Sequence, residues 1–90
     1  RGQFLFGFKA YNLTSTLMYA QLFDASAAPA ANTVPIMSWT MGSVGVASAG
    51  IDIDYGIRYF SRGIVIALSS TGGSLSLASV GTMLLDAQYA

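Results

Sequence analysis

The chain has ninety residues, 53% hydrophobic and 9% charged, with four basic side chains balancing four acidic ones and no histidine, cysteine or glutamate. This composition excludes disulfides, nearly excludes a zinc site, and leaves no basic field to hold nucleic acid. Ordinary soluble domains are roughly 25% charged, so part of this surface is expected to be covered by lipid or by more protein, and a single domain over residues 1–90 is expected to need partners for stability.

Period-two alternation dominates from the first residues. Phe4, Phe6 and Phe8 alternate with Leu5, Gly7 and Lys9, which predicts a strand over about 3–11 with three aromatic rings on the core face and Lys9 and Tyr11 opposite. Residues 12–15 read as a turn. A second strand follows over Leu17–Asp24, with Tyr19, Gln21 and Phe23 opposed to Met18, Ala20 and Leu22. The alanine-rich stretch Ala25–Thr33 contains Pro29 and reads as a loop.

Val34–Met41 is the expected third strand, with Pro35 near its start. Gly42–Gly50 is small and flexible, a weak strand or a crossover. Ile51, Ile53 and Tyr55 alternate with Asp52 and Asp54 in the clearest in-and-out pattern of the chain. Ile64–Leu68 is apolar on both faces and reads as a central strand covered on both sides, by a second sheet or a neighbouring subunit. Thr71–Ser74 is a hairpin-type turn, Leu75 and Leu77 alternate with serines, and Met83–Tyr89 closes the chain. Together these predict an all-β fold, a β-sandwich or jelly-roll-like barrel of seven to eight short antiparallel strands.

Lipid is the weaker explanation of the low charge. The uncharged spans Ala25–Ile51 and Gly63–Leu85 are broken by prolines or by serines and glycines, short of the roughly 20 apolar residues of a spanning helix. Barrel strands of about 9–11 residues with a polar inner face are also not the pattern. No membrane partner is expected. The absence of an initiator Met suggests a chain processed or cut from something longer.

Catalytic chemistry has little to work with. Without histidine the commonest general base is missing, and nothing marks a serine as a nucleophile. Asp52 and Asp54, two apart on a strand, point the same way and resemble half of a calcium loop, but that loop needs a distal bidentate glutamate. A strand face paired with Arg58 or Arg62 is the expected reading, with no metal or other cofactor. Gly42–Gly45 and Thr71–Ser74 lack the lysine of a phosphate-binding loop. The reading is a non-enzyme. Tyr19, Trp39, Tyr55 and Tyr59 are read as core or interface aromatics, with a glycan-stacking platform of Trp39, Tyr55 and Tyr59 as the alternative.

The order of segments carries a resemblance. Gly7–Asn12, then Tyr19–Ala25 followed by Ala28–Ala30 and Val34–Ile36, then Ile51–Gly56 and Phe60–Thr71, resemble a group of small structural proteins of tailed bacteriophages. In that group a YLQLFNA-x-AP-x-x-G-x-VP stretch precedes F-x-x-GI-x-x-A-x-S-T. The resemblance runs from Gly7 to Tyr89, with Arg62 standing where a small polar residue is usual. It implies a virion component, a head decoration (cement) protein or the base of a head fibre, assembled as a homotrimer on the major capsid or other virion proteins. The alternative it leaves is a carbohydrate- or receptor-binding module of a fibre or spike. Met37, Trp39, Met41 and Tyr89 are the candidate interface anchors, because aromatics and methionine are enriched at interface cores.

Overall fold

In a computed structural model, which describes residues 2–77 and 83–90 and only the backbone of 55–57, the alternating runs become strands. They are β1 (Gln3–Asn12), β2 (Met18–Asp24), β3 (Met37–Met41), β4 (Gly50–Phe60), β5 (Ile64–Ser69) and β6 (Met83–Tyr89). An isolated bridge between Ser69 and Leu77 adds a seventh extended segment. Among the described residues the only helical piece is a 3-10 turn over Ala47–Ala49, and no helix is long and apolar enough to cross a membrane.

Two three-stranded antiparallel sheets form, ordered β4-β1-β6 and β3-β2-β5. They face one another as a small β-sandwich, and the expected all-β class is what the chain adopts. Leu5, Phe8 and Ala10 of β1 meet Ala20 and Leu22 of β2, closed in by Met41 and Phe60. The Phe8 ring stands edge-on to Trp39 at 5.2 Å between centroids, a favoured aromatic arrangement.

One expectation fails in β1. Leu5 and Phe8 are fully buried, whereas Phe4 and Phe6 are 43% and 36% exposed. The cause is a bulge. Leu5 pairs with Tyr89 and Gly7 with Gln88, so Phe6 is an extra residue against β6, and the β4 side slips from Arg58 to Asp54 across the same step. An inserted residue moves every later side chain to the other face. Hence Phe4 and Phe6 point out of the sandwich, while Phe8 and Ala10 point in. Lys9 is outward, as expected.

Two further boundaries or positions differ, and one connection takes the second of its two expected forms. The third strand begins at Met37, because Pro35 cannot donate to the ladder; the Ile36 amide donates to Leu22 O at 2.8 Å, and Val34 is left exposed. Residues 42–49, expected as a weak strand or a crossover, are the crossover: they carry the 3-10 turn from β3 of one sheet to β4 of the other. β5 is not central but lies at the edge of its sheet, with Ile64–Leu68 all half-buried. Its two apolar faces reflect a core on one side and a partly open flank on the other.

Buried polar side chains fasten the connections. Asn12 Nδ2 donates to Thr16 O at 2.8 Å and Gly42 O at 2.9 Å, while its Oδ1 accepts from the Thr14 amide at 2.9 Å. This one side chain ties the β1–β2 turn to the loop after β3. On the outer face of β3-β2-β5, Gln21 Nε2 donates to Thr71 O at 2.8 Å, and Leu75 is buried beside backbone bonds to Asn32 and Thr33. Loops therefore cover that face of the sandwich.

Candidate interaction surface

The opposite outer face, that of β4-β1-β6, is open among the described residues except at Tyr11, whose hydroxyl accepts from the Gly45 amide at 3.3 Å. Cross-strand register defines what it presents. Lys9 lies between Asp52 on β4 and Asp86 on β6, so one row across the three strands is charged. Tyr11 and Leu84 form the next row on one side. Beyond the bulge on the other side stand Phe6, Phe4 and Tyr59, with the Phe4 and Tyr59 rings 5.1 Å apart and inclined at 55°. Phe4, Phe6, Tyr59 and Leu84 are all exposed. A face on which large apolar side chains flank a polar band, the Asp52, Lys9 and Asp86 row with Asp54 and Gln88 beside it, is the kind that marks a contact with another macromolecule.

Asp52 and Asp54 share this face, as their spacing predicts. Asp52 faces Lys9 across the ladder rather than Arg58 or Arg62, and Asp54 stands opposite Gly7. A shallow groove of about 280 Å³ runs beside them, lined by Phe6, Gly7, Ile53 and Gln88. Among the described residues no three histidine, cysteine or acidic side chains gather where they could hold a metal ion.

The four anchors named from the sequence are dispersed. Met41 is fully buried in the core and offers no surface. Trp39, on the same strand, is half-buried against Phe8. Met37 is exposed at the start of β3, on one lateral side of the sandwich, and Tyr89 is exposed at the end of β6, on the other. None belongs to the bare outer face. The stacking platform is dispersed too: Trp39 faces the core, Tyr59 lies on the outer face, and the Tyr55 side chain lies outside the described residues. The sequence signal for the bare face is the set Lys9, Asp52 and Asp86, whose charges mark the outward side of three strands. Phe4 and Phe6 are hidden from that reading by the bulge.

One carboxylate has a distinct role. Asp24 ends β2 and accepts hydrogen bonds from the Arg62 amide at 2.8 Å, the Gly63 and Ser61 amides at 3.2 Å, and Ser61 Oγ at 3.2 Å. Backbone donation, first from Arg62, outweighs the opposing desolvation and holds its pKa below the usual carboxylate value. Asp24 thus fixes the β4–β5 turn. Gly63 in that turn has φ of 151°, and a Cβ there would sit 2.7 Å from Ala25 O, so the position requires glycine.

Comparison with protein-family models, curated proteins and solved structures finds no match for this chain.

Proposed function

We propose that this chain is a non-enzymatic structural component of a bacteriophage particle, a decoration (cement) protein that associates with itself and docks on the capsid or another virion protein. The observation that carries the reading is the uneven finish of the sandwich. One outer face is covered by loops over β2, and the other presents Phe4, Phe6, Tyr59 and Leu84 beside the Asp52, Lys9 and Asp86 row. In a chain that is only 9% charged, such a face has its natural use in burial against a partner, since contact area is how virion proteins act. The phage assignment itself rests on the resemblance of residues 7–89 to small virion proteins, and the trimer is the stoichiometry that resemblance implies.

Fractionation of purified particles, followed by an averaged density map, tests the proposal. The expected result is this chain on the head surface with the β4-β1-β6 face turned toward the major capsid protein. Its absence from particles would overturn the proposal. A glycan array on the purified protein addresses the receptor-binding alternative, and no binding is expected, given the separation of Trp39 from Tyr59.

A further inference from the structure

We propose that β6 is a self-pairing edge: two copies join their β6 strands antiparallel about a two-fold axis at Ala87, making one continuous six-stranded sheet. This rests on the self-association part of the reading above and names its surface.

The free edge is defined by hydrogen bonds already made. Ala90 and Phe4 exchange amide-to-carbonyl bonds in both directions, at 2.9 and 3.0 Å. The backbone groups of successive residues in an antiparallel strand point to alternate sides. Because β6 keeps an unbroken register from Met83 to Gln88, Leu84, Asp86 and Gln88 turn theirs toward β1. Leu85, Ala87 and Tyr89 turn theirs away from the sheet. β6 is the last strand of its sheet among the described residues.

The other edges are blunted, and among the described residues this one is not. On β5 the Ile64 amide donates to Gln3 Oε1 at 3.3 Å, and the Ser70 amide donates to Ser76 O at 2.9 Å, so side chain and loop occupy its two ends. β4 carries Asp52, Asp54 and Arg58, the charges by which natural edges resist pairing. β3 is five residues long. β6 carries one charge, Asp86, and no proline.

What the edge fits is its own copy. With Ala87 on the axis, the smallest side chain meets itself. Leu85 then stands opposite Tyr89 of the second copy on the inner face, where the two are 46% and 62% exposed in the single chain although their β1 partners, Ala10 and Leu5, are buried. On the outer face Asp86 stands opposite Gln88 of the second copy, a carboxylate facing an amide donor, and no like charges are directly opposed. The three pairs centred on Ala87 each exchange two backbone hydrogen bonds. The apolar groove of about 270 Å³ between β5 and β6, lined by Ile64, Ile66, Leu85, Ala87 and Tyr89, lies beneath this seam. A two-fold contact builds dimers, or joins two rings of three; a lone trimer has no place for it.

The chain has no cysteine, so engineered cross-links are unambiguous. In the Asp86→Cys/Gln88→Cys variant the two positions face each other across the axis as a non-hydrogen-bonded pair, with Cα atoms about 4.5 Å apart, within disulfide reach. Mild oxidation is expected to give a covalent dimer on a denaturing gel, whereas Thr40→Cys on β3 stays monomeric there. Ala87→Pro removes only an outward amide, and is expected to weaken association at least about tenfold. If that variant does not fold, amide exchange in the parent decides: Leu85, Ala87 and Tyr89 should slow with rising concentration, while Leu84, Asp86 and Gln88 are protected throughout. A parent that associates without the cross-link, and without concentration-dependent protection of those three amides, overturns the β6 pairing and leaves self-association standing. A parent that is monomeric at every concentration overturns both.

Discussion

Phe6 and Phe8 differ by two positions and, in a regular strand, would share a fate. The bulge separates them: Phe8 is fully buried against Trp39, and Phe6 is on the outer face. Phe8→Ala is therefore expected to cost about 3–5 kcal/mol, a large share of a small domain's stability. Phe6→Ala should cost under about 1 kcal/mol and Lys9→Ala under about 0.5 kcal/mol. Thermal or denaturant melts at equal concentration check the order, and a Phe6→Ala variant as damaging as Phe8→Ala would place the bulge elsewhere. Asp24 carries a second prediction at this scale. Its folded pKa lies below its unfolded value, so its contribution is fully present above the unfolded pKa of about 3.8 and is lost as pH falls through the lower folded value. Asp24→Asn should lower the melting temperature at pH 7 and narrow its gap to the parent at pH 3. An equal gap at both values would remove the carboxylate from the account.

At the scale of elements, the strands were readable from apolar and aromatic runs bounded by turn residues, whether heavily buried like β2 or largely exposed like β6. β6 begins and ends where its pattern does, and β2 differs by one residue. The readings that failed depend on information the local pattern does not hold. A bulge is an insertion relative to neighbouring strands, so Phe4 and Phe6 look like core until the partners of Leu5 and Gly7 are known. An edge strand and a central strand can share a composition, which is why Ile64–Leu68 read as central. The bare outer face was half legible: its charged row follows from alternation, and its aromatic row does not. Gly7 offers a check on the bulge. A Cβ at that position would sit 2.5 Å from Ile53 O, where only a shift of β4 could make room. Gly7→Ala is expected to destabilise by about 1–3 kcal/mol, as overpacking does, although alanine is the mildest possible change. A neutral result would mean that β1 and β4 are less closely apposed there.

For the whole molecule, low charge and small size converge on assembly. Among the described residues, two three-stranded sheets bury a core of seven closely clustered side chains, and the exposed apolar side chains include one set on an outer face, Phe4, Phe6, Tyr59 and Leu84, and a pair along one lateral seam, Leu85 and Tyr89. On the proposed reading the seam takes a second copy and the outer face a virion partner. Loss of either contact should be separable from loss of fold, because Leu85, Tyr89, Phe4 and Phe6 contribute little to the buried core. The central claim is that this chain works as an assembled protein, and sedimentation of the unmodified chain across the micromolar range tests it most directly. The account predicts an oligomer whose mass falls to that of one chain only on dilution; a single monodisperse species of about 9.4 kDa at every concentration would contradict it.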